Sequence, residues 1–387
     1  MQYPFVKRLD KNANRFSFSY KNSIDRLYLF IFILGCMSLF VGCNFTKTKD
    51  HEPELPQVDL GTKMPFNGIS NVVNTCYMNA SLQVIAACYA DKVQEGSPLK
   101  KLIDSINDAN HGVVTIAEVQ EFRKSLIGKF NNSHNQEDAH EFLMACNDQY
   151  PFLEGFNRTD QCIIANNGKY YIKDRTPAAE NMFSLCFPNH KNESQSCSHK
   201  LADLIDSDQL SFKLEENLLN IELKEYNALD EHAAKHPSIN NLLLQLNPME
   251  EQQGQNKVTN YLLGSYIAKL PDKLCIHMKR SKQDENNNIP IKVKDRILGA
   301  KNIKLREGAS FKETRNVFFQ VHFGLCGFIL HHGDSLHSGH YTACIKKNNQ
   351  WYSADDTTVR AIDEAEALKQ SEAAYLLFYT KKQNKFS

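Results

Sequence analysis

Apolar residues recur with a helical period in two segments of the chain, 74–90 and 136–148. In the first segment they stand at i, i+4, i+7 and i+11: Met78, Leu82, Ile85 and Tyr89. In the second they stand at i, i+3, i+4 and i+7: Ala139, Phe142, Leu143 and Cys146. Both spacings predict a helix with one apolar face. Asn135 is the candidate N-cap of the second helix.

From about Phe183 onwards the pattern changes to short β-prone runs separated by polar segments. The runs are "SFKLEE", "LLNIELKE", "KLCIHMKR", "FFQVHFGLCGFILHH" and "HYTACIK". Short helices are predicted between them at 238–246 and 361–370. Helices followed by strands, without a regular βαβ alternation, predict an α+β fold with an antiparallel sheet.

The N-terminal region differs from the rest of the chain. Residues 27–42, "LYLFIFILGCMSLFVG", are apolar and uncharged, and six basic residues precede them. The run is short for a bilayer span, which needs about 20 residues, and is typical of a secretory signal or a marginal anchor. The alternative is a buried N-terminal helix. The charge bias places the N-terminus in the cytoplasm and the remainder across the membrane. "FVGC" resembles a bacterial lipoprotein cleavage site, with Cys43 as the lipid carrier.

Composition narrows the possible classes of protein. Lys+Arg and Asp+Glu both number 45, so no overall field favours a nucleic-acid partner. A hydrophobic fraction of 42% is that of a globular protein. The eleven cysteines show no regular spacing, which indicates free thiols rather than a disulfide framework. We divide the chain into a basic and apolar region (1–43), a polar linker (44–64) and a folded body (65–383).

A candidate nucleophile lies in "NTCYMN", where Cys76 follows the possible cap residues Asn74 and Thr75. That position places the thiol in the first turn of the predicted helix. The unpaired N–H groups and the helix dipole are expected to lower the pKa of a thiol there. Many core cysteines share such a position, so the assignment depends on a partner base elsewhere in the chain.

The partner signal is a predicted hairpin near the C-terminus. His340 opens an alternating run, Asp355 ends the next run, and "KKNN" lies between them. A turn centred on Lys347 and Asn348 would set His340 directly opposite Asp355, about 5 Å apart at Cβ. The carboxylate would then accept the Nδ1–H of the imidazole and direct Nε2 at a thiolate. The alternative is a surface histidine in a glycine-containing loop.

Five segments, in order, resemble the ubiquitin-specific proteases, a papain-like family of cysteine enzymes that release ubiquitin from conjugates. They are "GISNVVNTCYMNASLQ", "QEDAHEFL", "LPDKLCIHMKR", "SGHYTACIK" with "WYSADDTTV", and "AYLLFYTKK". The resemblance implies a helical thumb, an antiparallel β palm and a finger region at about 183–269. It implies hydrolysis of the (iso)peptide bond after the C-terminal Gly-Gly of ubiquitin, without a cofactor.

The resemblance also assigns roles to single residues. Cys76 would be the nucleophile, His340 the base and then the acid, and Asp355 the residue that orients the imidazole. Asn71 would stabilise the oxyanion. Four further residues would support the site or bind substrate: Asp138 and Glu141 by holding basic residues of ubiquitin, Tyr341 by lining the channel for the Gly-Gly end, and Asp356 beside the orienting acid.

Two departures from the family pattern lead to separate expectations. Val73 replaces a family glycine, and a β-branched residue does not easily adopt a positive φ, so the loop that carries Asn71 is expected to shift. Many members bind zinc through two CxxC pairs, whereas the finger region here has no CxxC motif. It holds Cys186, Cys197, His190 and His199, and we expect it to be reduced and free of metal.

Two other functions fit the same sequence: a ubiquitin-binding module with little or no catalysis, and a protease for a ubiquitin-like modifier. An exported domain also fits poorly with a cytosolic substrate. A bacterial effector or lipoprotein that reaches a eukaryotic host would resolve this, as would a membrane-anchored enzyme of reversed topology.

Overall fold

In a computed structural model of the chain, Thr62–Ser387 form one compact unit. The structure describes residues 64–131, 135–175, 178–188, 196–210, 213–219, 221–229, 234–235, 240–252, 255–283, 290–308, 319–335 and 338–383. The predicted signal or anchor at 27–43 lies outside these residues, as does the predicted linker up to residue 63. Within the described residues, no helix combines the length and the apolar character needed to cross a membrane.

The helices of the described region are short and are concentrated before residue 150. They are α1 (Cys76–Cys88), α2 (Pro98–Asn107), α3 (Ile116–Ser125), α4 (Ala139–Gln149), α5 (Leu201–Leu210), α6 (Asn240–Leu243) and α7 (Glu364–Ser371), with 3-10 turns at Lys129–Asn131 and Leu223–Glu225. The helices predicted at 74–90 and 136–148 are thus confirmed as α1 and α4. The helix predicted at 238–246 is shorter, since α6 covers only Asn240–Leu243. The helix predicted at 361–370 begins later, because Ile362 belongs to a strand.

Most strands belong to one of two antiparallel sheets. The seven-stranded sheet contains β1 (Phe156–Asn166), β2 (Lys169–Asp174), β3 (Ala178–Glu180), β6 (Lys213–Leu219), β7 (Asn227–Ala228), β8 (Glu250–Gln252) and β9 (Gln255–Ile267). The eight-stranded sheet contains β4 (Phe183–Cys186), β10 (Lys273–Lys279), β14 (Asn302–Glu307), β15 (Phe319–His332), β16 (His340–Lys347), β17 (Gln350–Asp355), β18 (Thr358–Ile362) and β19 (Ala374–Lys381). Two further pairs are β5 (Ser198–Lys200) with β13 (Arg296–Leu298), and β11 (Ser281–Gln283) with β12 (Pro290–Lys292).

The order of strands in the seven-stranded sheet is β6-β9-β1-β2-β7, with β3 on β1 and β8 on β9. In the eight-stranded sheet it is β18-β17-β16-β15-β19-β10-β4, with β14 on β15. Of the pairs in these two sheets, only β10 with β4 is parallel. The α+β class with antiparallel sheets is therefore confirmed.

The strand region begins at Phe156, so its predicted start at Phe183 is wrong. The missed pair is the hairpin of β1 and β2, whose turn residues Asn167 and Gly168 both have positive φ. An Asn-Gly pair between two β-prone runs is a strong hairpin signal. The run "LLNIELKE" is only briefly extended, because a 3-10 turn occupies Leu223–Glu225.

Helix α1 is buried on nearly every side, and Ala87 alone among its residues is not buried. The expectation of a single apolar face is therefore wrong for α1. The helix packs between α2, α4 and the eight-stranded sheet. Small and polar residues such as Ala80, Ser81 and Gln83 allow close approach where large side chains would not fit. A helix enclosed in this way holds its first residue in a fixed position.

Side-chain caps begin four of the helices, with Ser97, Thr115, Asp138 and Asp363 accepting from N–H groups of the first turn. The prediction that Asn135 caps α4 is wrong. The helix begins at Ala139, the first residue of its buried face, and only Asp138 is near enough to bond the N–H groups of His140 and Glu141.

Candidate active site

Cys76 is the first residue of α1, and its side chain is 4% exposed. Thr75 occupies the N-cap position but makes no side-chain bond to the helix. Its hydroxyl accepts instead from the N–H of Val72 at 2.8 Å. The backbone N–H groups of Cys76 and Tyr77 are left within hydrogen-bond reach of the thiol. The start of α1 therefore offers donors to a negatively charged sulfur.

The pKa of the Cys76 thiol is nevertheless raised above its ordinary value. Burial is the largest cause, and the negative charge of Asp356 adds to it. Hydrogen bonds from the backbone N–H groups of Tyr341, Tyr77 and Cys76 act in the opposite direction. The expectation of a lowered pKa is therefore wrong for the net effect, because desolvation outweighs the helix terminus. The resting thiol is protonated at neutral pH and needs a base.

His340 begins β16, and its Nε2 lies 2.6 Å from Oδ1 of Asp355 at the end of β17. Both side chains are about half exposed. The predicted register is wrong, because the turn is centred on Asn348 and Asn349, both at positive φ, and Lys347 pairs with Gln350. Continued in that register, Asp355 faces Thr342 rather than His340.

The contact survives the register error because the error is an even number of residues. Side chains along a strand alternate between faces, so a shift of two positions keeps His340 and Asp355 on the same face. The pair is diagonal rather than directly opposed, which a long imidazole can still span. The expected ring nitrogen is also wrong, because Nε2 rather than Nδ1 contacts Asp355. Nδ1 is then the ring nitrogen that remains for the proton of the thiol.

The strand that carries His340 reaches the nucleophile through its next residue. The backbone N–H of Tyr341 lies within hydrogen-bond reach of the Cys76 thiol. Because His340 and Tyr341 are consecutive, the start of β16 and the start of α1 meet at this point. Folding thus brings Cys76 next to a hairpin that lies more than 250 positions later in the sequence.

Asp356 connects the cysteine loop to the hairpin. Its Oδ2 accepts from the amide of Asn71 at 2.7 Å, and its Oδ1 accepts from the amide of Asn79 at 2.8 Å. Its carbonyl accepts from the N–H of Ile69 at 2.8 Å. Asn79 was not selected from the sequence, although it stands one helical turn after Thr75 and shares a face with it.

The loop before Cys76 contains two non-glycine residues in the left-handed region, Val73 at φ 50° and Asn74 at φ 59°. Val73 therefore adopts the positive φ that its β-branched side chain was expected to prevent. Its side chain is 62% exposed, so crowding from neighbours is small. The Asn71 side chain is held at both ends, since its oxygen also accepts from the N–H of Thr75 at 3.1 Å.

Asp138 lies beneath the histidine strand. Besides capping α4 through Oδ1, it accepts through Oδ2 from the hydroxyls of Tyr341 at 3.2 Å and Tyr375 at 2.8 Å. Tyr375, from the segment "AYLLFYTKK", was not selected from the sequence. Tyr341 is 3% exposed, and its ring stacks on His331 with centroids 4.4 Å apart.

Glu141 is exposed on the first turn of α4. Its carboxylate pairs with Lys129, which also pairs with Glu137 at 2.8 Å. The side chains of Lys129 and Glu141 are 50% and 55% exposed, so this is a solvated ion pair of small energy.

Close groups of metal-ligating side chains are sparse in the described part of the chain. His340, Asp355 and Asp356 form its one group of three that is close enough to share an ion. In the finger region, His199 contacts Asp295 at 2.9 Å and Cys186 is exposed, while His190 lies outside the described residues.

Comparison with known proteins gives one family. The model of the family described as ubiquitin carboxyl-terminal hydrolase matches residues 67–379. Ubiquitin carboxyl-terminal hydrolase 3 from Homo sapiens is 24% identical over 388 residues, which cover 84% of this chain and 69% of that protein. Ubiquitin carboxyl-terminal hydrolase 17-like protein 11 from Homo sapiens is 26% identical over 344 residues, covering 81% of this chain and 56% of that protein.

Solved structures agree with this at the level of the fold. The SAGA Ubp8/Sgf11/Sus1/Sgf73 DUB module bound to ubiquitin aldehyde matches with a TM-score of 0.56 and 20% identity, covering 94% of this chain and 77% of the other. A second structure, of the SAGA Ubp8/Sgf11/Sus1/Sgf73 DUB module, matches with a TM-score of 0.52 and 18% identity, covering 94% of this chain and 75% of the other.

Proposed function

Since the chain belongs to the ubiquitin carboxyl-terminal hydrolase family, we propose that Cys76, His340 and Asp355 are the residues with which it cleaves ubiquitin conjugates. The chain is a thiol-dependent deubiquitinating cysteine protease with the fold of a ubiquitin-specific protease. One observation carries the residue assignment. His340, which lies 2.6 Å from Asp355, begins the strand whose second residue, Tyr341, donates its backbone N–H to the Cys76 thiol.

Catalysis begins with removal of the thiol proton. His340 accepts the proton from Sγ of Cys76, and the carboxylate of Asp355 stabilises the imidazolium that results. This step is needed because burial keeps the thiol protonated. The thiolate then forms under three N–H donors, those of Cys76, Tyr77 and Tyr341. These donors supply in the ion pair the stabilisation that burial removes.

The thiolate attacks the carbonyl carbon of the terminal glycine of ubiquitin and forms a tetrahedral oxyanion. Once sulfur has bonded to carbon it no longer carries the negative charge, so the N–H groups at the start of α1 become available to that oxygen together with the Asn71 amide. Asp356 orients the amide of Asn71. His340 returns its proton to the leaving amine, and a water molecule then hydrolyses the thioester by the same sequence of steps.

Substrate binding involves the start of α4. Glu141 is exposed and exchanges a solvated partner, Lys129, for the basic residues near the ubiquitin tail. Asp138 contributes negative potential from below, and its neighbour Tyr341 lies under the channel for the Gly-Gly end.

The triad is tested with the full-length chain and a fluorogenic amide of the ubiquitin C-terminus. We expect wild-type protein to release the fluorophore, and Cys76→Ala, His340→Ala and Asp355→Ala each to reduce kcat by at least about a hundredfold. A matched control is Cys146→Ala, at a buried thiol on α4. Silence of folded, reduced wild-type protein, with no labelling of Cys76 by a ubiquitin warhead, would contradict the proposal.

A ubiquitin-binding module without hydrolytic activity is not favoured, because the matching family model and the curated relatives are those of ubiquitin hydrolases. A ubiquitin-like modifier as substrate is tested in the same assay by warheads of each modifier used side by side. Faster labelling by another modifier would move the specificity away from ubiquitin.

We also propose that residues 27–43 direct the protein to a membrane, as a signal, an anchor or a lipoprotein site at Cys43. The apolar run and the six preceding basic residues support this. Export by a bacterium to a eukaryotic host would give the exported domain access to ubiquitin. Extraction of cell membranes with alkaline carbonate should leave the full-length chain in the pellet and a chain lacking residues 1–43 in the supernatant. Recovery of both in the supernatant would contradict it.

A further inference from the structure

The first residues of β16, which include the catalytic histidine, are not paired with β17. The pairing of β16 with β17 ends at Ala343 and Ala354, although β17 continues to Asp355 beside β18. On its other edge, β16 stays paired with β15 as far as His340 with His332. Residues 339–342 therefore have one backbone edge without a strand.

The backbone N–H and C=O groups of alternate residues of β16 point toward this unpaired edge. In a two-residue hairpin the flanking pair, Lys347 and Gln350, exchanges both backbone bonds, so every second residue of β16 faces β17. Counting back from Lys347 in steps of two leads through Ala343 to Tyr341 and Gly339. The N–H of Tyr341 meets the Cys76 thiol there, in keeping with this count.

The backbone of Gly339 meets the side-chain amide of Gln136 at the same edge. The N–H of Gly339 donates to Oε1 of Gln136 at 3.1 Å, and Nε2 of Gln136 donates to the carbonyl of Gly339. One amide thus makes both bonds that a strand residue would make. Gln136 stands two residues before Asp138, the N-cap of α4, so it lies just before that helix.

Gly339 is closely packed against the end of β15 and has no side chain that could bond to a neighbour. A Cβ at this position would lie 2.1 Å from the carbonyl oxygen of His332 and 2.6 Å from Nε2 of His331. The close approach requires glycine, and a glycine has no side chain through which neighbours can hold it. Its backbone N–H and C=O are therefore the groups through which hydrogen bonds can fix the chain immediately before His340.

We propose that Gln136 is a positioning residue for the catalytic base. The Gln136 amide makes the two backbone bonds that β17 does not make at this position, and so it fixes the backbone of Gly339. The orientation of Gly339 in turn sets the direction in which His340 faces Cys76. This rests on the proposed roles of Cys76 and His340, and it assigns to Gln136 a task that needs no substrate to be present.

The test uses the full-length chain with Gln136→Met, which keeps the length and removes both bonds, and Gln136→Glu, which keeps the acceptor and sets a charge against the Gly339 carbonyl. Gln245→Glu is the matched control, because Gln245 is exposed and its side-chain amide donates to the carbonyl of Asn241, four residues away. Two rates are measured: kcat and KM on the ubiquitin amide, and alkylation of Cys76 by iodoacetamide, followed by mass spectrometry of its peptide.

We expect both Gln136 variants to lower kcat about tenfold or more with little change in KM, and to slow alkylation of Cys76 by a similar factor. The Gln136→Glu deficit should shrink as the pH falls from 8 to 5.5, because a protonated carboxyl regains a donor for the carbonyl. The unfolding temperature of each variant should stay within a few degrees of wild type.

Unchanged alkylation with a raised KM would overturn the proposal, since Gln136 would then act only on the ubiquitin tail. Loss of kcat with a large fall in unfolding temperature in both variants would overturn it too, in favour of a purely structural role. Because alkylation needs no ubiquitin, it distinguishes failure here from a wild-type protein that does not cleave ubiquitin.

Discussion

Cys76 experiences opposing influences within a few ångströms. Burial and the charge of Asp356 favour the thiol, whereas three backbone N–H donors favour the thiolate. Only the charge of Asp356 is easily altered by substitution, since the donors belong to the backbone and the burial to the whole core. Asp356 therefore limits how readily the sulfur ionises while it also holds Asn71 in place.

Asp356→Asn should lower the pH at which Cys76 becomes reactive, because a nearby negative charge disfavours the thiolate. The measurement is the pH dependence of Cys76 alkylation by iodoacetamide. Asp334→Asn is a suitable control, being an exposed aspartate paired with Lys294. A midpoint that stays fixed or moves upward would show that Asp356 acts on Asn71 and Asn79 alone.

Val73→Gly should raise the free energy of unfolding by about 1 kcal/mol. A β-branched residue at φ 50° is strained by about 1–3 kcal/mol, and the greater freedom of glycine in the unfolded chain recovers only part of that. Urea denaturation measures the difference. The control is Val113→Gly, at an exposed valine without positive φ, which should be destabilised instead. Equal losses in both variants would refute strain at Val73.

At the scale of elements, the start of α4 joins parts of the chain that lie far apart. Asp138 receives the N–H groups of its own helix and the hydroxyls of Tyr341 on β16 and Tyr375 on β19. Both phenols are largely buried, and the pKa of Tyr341 and that of Tyr375 are raised, first by burial and then by the neighbouring carboxylate. Their protons stay in place to donate to Asp138.

Asp138→Ala should cost about 2–3 kcal/mol of unfolding free energy, more than the loss of an ordinary cap, because two buried hydroxyls would also lose their acceptor. Thr115→Ala, which removes the capping box of α3, should cost about 1 kcal/mol.

A double-mutant cycle with Tyr375→Phe isolates the shared bond. The two changes should be less than additive by about 1 kcal/mol, measured by urea denaturation. Strict additivity would mean that Asp138 and Tyr375 do not interact energetically.

At the scale of the whole molecule, aromatic and imidazole rings connect α4 to four strands of the eight-stranded sheet. His140 stacks on His277 at 4.1 Å, His277 meets Tyr375 at 5.0 Å, and His331 stacks on Tyr341. Burial is the main reason that the pKa of His277 falls to about 3 and that of His331 to about 4. The fold is therefore built around neutral imidazoles.

This makes stability depend on pH in a defined direction. In the unfolded chain these histidines bind protons near pH 6.5, but in the folded chain they do so only near pH 3 to 4. The contribution of these histidines to the free energy of unfolding is thus fully present above about pH 6.5 and declines as the pH falls below that value. Between pH 7.5 and pH 5 we expect a loss on the order of 2 kcal/mol for each histidine, measured by urea denaturation.

His277→Gln should flatten that pH dependence, because glutamine does not titrate. His322→Gln is the control, at a histidine on β15 that is outside this ring contact series. An unchanged slope in His277→Gln would rule out His277 as a source of the pH dependence.

Sequence alone was sufficient wherever the deciding interaction is local or depends on parity. The helical period located α1 and α4, and alternation in two runs joined by a short turn put His340 and Asp355 on one face even though the turn was misplaced by one residue. The order of the five segments that resemble the ubiquitin-specific proteases was likewise sufficient to indicate the family that the comparisons then showed.

Tertiary structure decided what depends on residues distant in the chain. The raised pKa of Cys76 comes from a core that encloses α1, and a helix terminus considered by itself predicts the opposite. The bonds of Asp138 to Tyr341 and Tyr375 cross 203 and 237 positions, and no spacing rule reaches that far. Periodicity is a property of neighbours along the chain, whereas desolvation and buried hydrogen bonds depend on neighbours in space, which exist only after the chain has folded.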